Sequence, residues 1–229
     1  MSNAKRNRAM PDIMPDITSD ILTEKTFAQK TNVSRETMAN IRIYVNLLTK
    51  WQKRINLVSQ STMPDLWSRH FYDSFQLKAH LSGLNVEKTK ILDIGSGAGF
   101  PGLLLSMLGL GEFHMVESNN KKCAFMRQVI RETNCNAVIH NERIENIRPF
   151  HVDYIISRAC APLNKLFDLS RNFIHEDTIC LFLKGQTAEK EIAEAQRNRT
   201  FEVEKFTSVT QDRGMLLKVS HIKALGHVD

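Results

Sequence analysis

Three groups of residues in this chain have the types and spacing to do chemistry. The first is Asp93-Ile-Gly95-Ser-Gly97-Ala-Gly99-Phe100-Pro101-Gly102. Glycines at alternate positions let a backbone take positive φ and press against a ligand with no Cβ in the way. Glu117, 22 residues beyond Gly95, is suitably spaced to accept hydrogen bonds from ribose hydroxyls. Asp93 could orient the loop, meet a cationic amino-acid ligand through water, or tie down backbone N–H groups of the turn. The second group is Ser157-Arg158-Ala159-Cys160-Ala161-Pro162. Arg158 could stack on or hydrogen-bond a base, fix a phosphate, or be a structural partner of Asp153 or of the next helix. Cys160 is weighed as a nucleophile of the kind that attacks a pyrimidine ring, but those usually follow a proline, and here Pro162 comes two residues later. A buried or partly buried thiol is the plainer reading. The third group is basic: Lys50, Lys53 and Arg54, with Arg127 and Arg131 four apart near Lys121 and Lys122. These could contact phosphates or be solvated faces. His70 either reaches a substrate mouth or is a hydrogen-bonded interior residue.

The elements that must position these groups follow from periodicity. Lys90 to Gly95 is a short apolar strand running into the glycine loop, and Leu103 to Leu108 reads as the next helix. Strands over Phe113–Glu117, Asn136–His140, Val152–Ser157 and Thr178–Leu183 alternate with helices over Asn120–Thr133, Leu163–Phe173 and Ala188–Asn198. Two further strands, Thr200–Thr207 and Gly214–His221, end the pattern. Strands alternating with helices specify a parallel α/β sheet, here seven-stranded and mostly parallel with an antiparallel edge. In such a sheet a loop like the glycine run sits at the carboxyl edge, where ligands bind. Upstream, Ser34 can cap a helix whose face is Ile41, Tyr44, Leu48, Trp51 and Ile55, and a second helical stretch covers about Met63 to Leu81. The expected organisation is a flexible tail over 1–33, a helical cap over 34–84 and the main domain over 85–229.

Composition limits the partners. The chain has 229 residues and a net charge of +6, and residues 1–60 hold 10 basic against 5 acidic side chains. Residues 61–120, which include the glycine loop, hold 4 basic and 6 acidic. The basic excess thus lies upstream of the loop, where a polyanion could dock. No run approaches the roughly 18 apolar residues of a spanning helix, and the first residues lack the apolar core of a secretory signal. The four cysteines, 12, 25 and 20 residues apart with no C-x-x-C pair, read as reduced thiols. A cytoplasmic protein without a metal, a membrane partner or a second copy is expected.

The dinucleotide fingerprint is G-x-G-x-x-G, but here the third glycine is displaced by one. An acidic residue, G-x-G-x-G after strand one and an acid ending strand two make the signature of Rossmann-like S-adenosylmethionine enzymes. More specifically, the chain resembles the bacterial 16S ribosomal RNA guanine-N7 methyltransferases, also called the glucose-inhibited division protein B family. The resemblance covers roughly residues 40–186. It is carried by Tyr44-Val-Asn-Leu-Leu-Thr-Lys50-Trp51, Asn56-Leu-Val-Ser59, Arg69-His70-Phe-Tyr-Asp73-Ser74 and the Phe100-Pro101-Gly102 ending of the loop. Glu117-Ser118-Asn119-Asn120-Lys121-Lys122, Arg143-Ile144-Glu145, Ser157-Arg158-Ala159 and Leu183-Lys184-Gly185-Gln186 continue it. Cys160 departs from the phenylalanine or other apolar residue expected there, and the first 30 residues have no counterpart.

The resemblance implies a class I fold and S-adenosyl-L-methionine as cofactor. It implies transfer of methyl to N7 of a guanine in the decoding-region loop of 16S ribosomal RNA, free or in the small subunit. By the same similarity Asp93, Gly95, Gly97, Gly99 and Phe100 would form the cofactor loop, and Glu117 with Ser118 would hold the ribose. Ile144 and Glu145 would flank the adenine, and Arg158 would line the cofactor and substrate ends of the cleft. Two other readings stand beside this one: a nucleotide-dependent oxidoreductase, and a non-catalytic RNA-binding assembly factor that keeps the fold.

Overall fold

The computed structural model describes residues 22–81, 88–158 and 160–224. Its N-terminal part is helical. Helix α1, Glu24–Thr31, opens on a capping box in which the Thr23 hydroxyl accepts from the Thr26 N–H and the Thr26 hydroxyl accepts from the Thr23 N–H. Phe27 is its buried anchor. The ring meets Trp67 at 5.3 Å and stands edge-on to Phe71, Tyr72 and Phe75 within 6.4 Å. This corrects the expected tail over 1–33: residues 1–21 lie outside the described residues, but 24–31 form a helix seated in the core. One large aromatic was enough to fix a helix too short to show a repeating face.

Helix α2, Arg35–Gln52, begins at the expected Ser34 cap and buries Ile41, Tyr44 and Leu48 completely. It stops before Ile55 because the Gln52 side chain turns the chain there. Its carbonyl oxygen accepts from the N–H groups of Leu57 and Val58, and its amide donates to the Val58 carbonyl. A short 3-10 turn, Gln60–Thr62, leads into a continuous helical run. That run is π-wound over Trp67–Tyr72, α-helical over Asp73–Phe75 (α3) and 3-10 over Gln76–His80. His70 to Leu77 are all buried, so this run is enclosed on every side. Phe71, Tyr72 and Phe75 pack toward Phe27, while His70 and Asp73 turn toward the sheet. The expected boundary at 84/85 falls in residues 82–87, outside the described residues.

The sheet has the order β3-β2-β1-β4-β5-β7-β6. Its strands are β1 Lys90–Ile94, β2 Glu112–Val116, β3 Ala137–His140, β4 Tyr154–Arg158, β5 Ile179–Lys184, β6 Arg199–Thr207 and β7 Met215–Ala224. The first five are parallel, and β7 lies antiparallel between β5 and β6. Ile91, Leu92 and Ile94 are buried on both faces of β1, as a central parallel strand requires, with Asp93 the one polar residue among them. Helices α4 (Gly102–Met107) and α5 (Asn120–Thr133) join the cap on one face. Helices α6 (Leu163–Ser170) and α7 (Ala188–Ala195) cover the other. The cap shares one core with the first face, in which Tyr44, Phe71, Phe100, Leu103 and Phe125 are all buried. The order reverses between β1 and β4, so the loop leaving β1 opens at the switch point.

The packing of α1 has a measurable consequence. Phe27→Ala should destabilise the fold by about 3–5 kcal/mol in urea denaturation, the cost of removing a fully buried aromatic. A change below about 1 kcal/mol would return residues 24–31 to the status of a tail.

Candidate active site

The glycine loop begins where β1 ends. Gly95, Gly97 and Gly99 all have positive φ, and the N–H groups of Gly95 and Ser96 both donate to the Val116 carbonyl at 3.0 Å. Glu117 immediately follows β2 and faces the loop. One carboxylate oxygen accepts from the Gly97 N–H at 3.0 Å and the other from the Asn119 N–H at 2.8 Å. Two bonds leave lone pairs free on both oxygens, enough for a pair of hydroxyl donors. Space beside Gly97 is open, and a Cβ there would come no closer than 3.8 Å to any other group. A glycine cradle, a carboxylate with spare acceptor sites and open volume between them fit a nucleoside cofactor.

Asp93 lies beneath the loop with no exposed surface. Its Oδ2 accepts from the Gly102 N–H at 2.9 Å, so the turn-fixing role is realised. Gly102 has no room for a side chain, since a Cβ would lie 2.6 Å from that oxygen and 2.5 Å from Met115 Sδ. Oδ1 has no partner. Burial raises the Asp93 carboxyl to about 7, against the pull of the Gly102 bond and the Arg158 charge.

Arg158 ends β4 and is held from the cap. Nη1 donates to the Arg69 carbonyl at 2.8 Å and Nη2 to His70 Nδ1 at 2.8 Å, with Asp73 Oδ2 3.6 Å from Nη1. Its guanidinium lies 5.2 Å from the centre of the Phe100 ring. The alternative pairing with Asp153 does not occur, because the Asp153 side chain accepts from the Lys90 N–H instead. His70 Nδ1 accepts from Arg158, so Nε2 carries the proton and donates to Thr62 Oγ1 at 2.8 Å. Burial, with the Arg158 and Arg69 charges, lowers its pKa to about 3. His70 is thus a hydrogen-bonded, buried residue, and it also lines the cleft beyond β4 and β5.

Phe100 does not point its ring at the open side of the loop. The ring stacks on Tyr44 at 5.0 Å, stands edge-on to Phe71 at 5.0 Å and is buried. Tyr44 also donates its hydroxyl to the Ala98 carbonyl, and burial holds that hydroxyl well above its ordinary pKa. Cys160 sits against Gly95, where an added Cβ would fall 2.3 Å from its sulfur. Cys160 is exposed, which corrects the expected buried thiol, but desolvation of its sulfur against the loop and the Asp93 charge still raise the thiol, so it stays protonated, a poor state for a nucleophile. Ile144 is buried at the start of a 3-10 turn, while Ser118 and Glu145 are exposed.

A cleft of about 570 Å³ opens beyond β4 and β5. Arg69, Asp73, Arg158, Cys160, Lys184 and Gln211 are among its lining residues. Lys184 is paired at 2.9 Å with Glu191, which also accepts from the Leu163 N–H. Burial alone would raise the Glu191 carboxyl, but bonds from Thr187 and Lys184 bring it below the ordinary range. Among the described residues no group of three or more His, Cys, Asp or Glu stands where it could hold a metal ion.

The basic residues do not gather in one place. Lys53, Arg54 and Lys122 line a second groove of about 680 Å³ beside the loop after α2, with exposed Lys50 one turn back. Arg127 and Arg131 are exposed on α5, but its α2-facing residues are Phe125 and Gln128, which meet Trp51. At 3.6 residues per turn this puts both arginines on a flank turned away from the groove. Sequence reasoning missed Tyr44, Asp73 and Glu191 as site supports. Tyr44 was legible as a core position only, and nothing local signals a contact between Asp73 and a residue 85 positions later.

Two buried groups give opposite pH signatures. His70 is neutral in the fold but ionises when unfolded, so stability falls as pH drops from about 6.5 toward 3. Asp93 stays protonated in the fold up to about 7, so its contribution is lost as pH rises from 3.8 through 7. Urea denaturation across pH 4–7 should show a flatter acid loss for His70→Asn and a steeper one for Asp93→Asn than for the wild type. Identical slopes in all three would refute both assignments.

Residues 37–216 match the model of the family described as rRNA small subunit methyltransferase G. The chain is 42% identical over 193 residues to the ribosomal RNA small subunit methyltransferase G of Paramagnetospirillum magneticum, covering 84% of this chain and 93% of that protein. It is 45% identical over 195 residues to the protein of the same name from Rhodospirillum centenum, covering 85% and 88%. Solved structures share the fold at low identity. The ribosomal protein L11 methylase of Lactobacillus delbrueckii subsp. bulgaricus superposes with a TM-score of 0.53 at 14% identity, over 65% of this chain and 78% of that one. A mutant of MtNAS in complex with S-adenosylmethionine superposes at 0.52 and 16%, over 89% and 85%. With the order 3-2-1-4-5-7-6 and the glycine loop at its switch point, the chain belongs to the rRNA small subunit methyltransferase G family.

Proposed function

We propose that this chain transfers a methyl group from S-adenosyl-L-methionine to N7 of a guanine in 16S ribosomal RNA, on the RNA or on the small subunit. One observation carries the reading: the glycine loop meets, through the Gly95–Cys160 contact, a cleft walled by Arg158 in which Asp73, His70 and Glu191 are all bonded to other groups. Asp93, Gly95, Gly97, Gly99 and the Phe100 backbone would form the cofactor cradle. Glu117 and Ser118 would take the ribose, and Ile144 and Glu145 the adenine. The cofactor supplies an electrophilic methyl on a sulfonium.

The residues of this chain have an alignment task. Guanine N7 offers a lone pair and carries no proton, so no base is required and the rate comes from orientation and exclusion of water. His70 is neutral with both ring nitrogens engaged, and Cys160 is a protonated thiol, so neither competes for a proton. Arg158 has its two terminal nitrogens spent on the cap but retains further N–H groups at the cleft wall. Those donors suit O6 or a phosphate of the acceptor nucleotide. Lys50, Lys53, Arg54, Arg127 and Arg131 would contact phosphates outside the cleft, the two α5 arginines from a separate flank.

A monomer in the cytoplasm fits this reading. Among the described residues Val138 is the exposed large hydrophobic side chain, too little for a second copy to bury. No described helix is long and apolar enough to cross a membrane.

Labelled methyl from S-adenosylmethionine should enter 16S RNA from cells lacking the protein and map to N7-methylguanine. Binding without transfer would favour the assembly-factor reading, and tight binding of NAD would favour the oxidoreductase. Arg158→Ala should lower turnover by about a hundredfold, the worth of two or three kcal/mol of charged hydrogen bonds. Unchanged turnover would remove Arg158 from the site.

A further inference from the structure

The charges lining the cleft do not balance. Arg158 faces Asp73, and Lys184 is paired with Glu191. Asp73 is further committed, accepting from Gln76 and Thr210. His70 is neutral. Arg69 remains, half-buried on the cleft wall, and among the described residues its guanidinium has no hydrogen-bond or ion-pair partner. Its backbone is engaged, the carbonyl by Arg158 and the N–H by the Asp65 carbonyl. A half-buried cation left over in a cleft calls for an anion.

Position selects the anion. The cleft is lined by residues from the ends of β4 and β5 and from the β6–β7 connection, and no residue from Gly95 to Gly99 borders it. It is therefore offset from the cofactor cradle. On the other side it reaches the basic groove through a single turn. Gln60 lines the groove and Thr62 lines the cleft. The turn is anchored from both sides: Gln52 lies 3.5 Å from Gln60, and His70 bonds Thr62. Lys53, Arg54 and Lys122, then Gln60–Thr62, then Arg69 and Arg158 form one track of donors with no acidic residue lining the groove.

We infer that Arg69 is a phosphate clamp at the mouth of the acceptor cleft. It holds the backbone of a single-stranded RNA segment that runs along the basic groove, crosses the Gln60–Thr62 turn and delivers one unstacked nucleotide to Arg158. The inference rests on the RNA methyltransferase reading and adds the entry path. It assigns Arg69 to the phosphodiester and not to the carboxylate of the cofactor, the other anion within the site.

The test uses the full chain, with 16S RNA extracted from cells lacking the protein as one probe and S-adenosylhomocysteine as the other. Arg69→Gln keeps the carbonyl that holds Arg158. It should weaken RNA binding about tenfold and make the slope of log affinity against log salt shallower by about one. S-adenosylhomocysteine affinity should not move, and Arg69→Lys should recover part of the RNA affinity. Arg171→Gln, at the exposed far end of α6, serves as the control for a lost surface charge. RNA affinity equal to wild type would overturn the clamp, as would an equal loss of S-adenosylhomocysteine affinity, which assigns Arg69 to the cofactor. A wild-type protein that neither binds nor methylates the RNA would instead sink the underlying function.

Discussion

The Phe100 ring is the joint on which the arrangement depends. Its backbone belongs to the glycine loop, its faces and edges to the cap, and its upper surface to Arg158. Tyr44 stacks on it from α2, Phe71 meets it edge-on from the π-wound run, and the guanidinium sits over it from β4. Aromatic pairs of this kind add roughly 0.5–1.5 kcal/mol each beyond the area they bury, and a partly desolvated cation over a ring adds a comparable amount. The loop, the cap and the end of β4 therefore share one hydrophobic contact. None can shift without disturbing the other two.

The electrostatics follow from that joint. A guanidinium is held in a mostly buried place by a carbonyl, an imidazole and a carboxylate, all from the cap. Its charge acts outward on each titratable neighbour. It pulls the Asp93 carboxyl and the Tyr44 hydroxyl down against their burial, and it pushes the His70 ring further toward neutrality. Because Arg158 donates to His70 Nδ1, a protonated ring would face a cation with no lone pair to offer. The neutral tautomer is a structural requirement before it is a chemical one.

The sheet was legible in the sequence because its information is local. Lys90–Ile94 is apolar and short, glycines follow, and the acid after β2 comes at the right distance. These features survive without knowing what packs on them. The cap was legible where α2 repeats a face at spacings of three and four, and opaque elsewhere. In α1 a single phenylalanine carries the packing, so the stretch shows no repeating face. The winding change over Trp67–Tyr72 leaves His70 to Leu77 buried without a break, a pattern no single helical face produces. The same locality put Asp153 among the alternative partners of Arg158 and left out Asp73, which is near it only in space. Phe100 was read as a loop residue, and only the cap reveals where its ring goes.

For a reaction at an atom that needs no deprotonation, these features have a common logic. Among the described residues the cleft contains no free carboxylate and no free imidazole, because Asp73, Glu191 and His70 are all bound to other side chains. What it presents instead are fixed donors. An arginine immobilised by the cap would lose little entropy on meeting a substrate, so more of each hydrogen bond would go into alignment. Cys160 lies against Gly95 at the seam between the glycine loop and the cleft. A side chain at residue 95 would open that seam, and a larger one at residue 160 would need the loop to give way. The spacing between the glycine loop and the cleft is thus set by a glycine on one side and a thiol on the other.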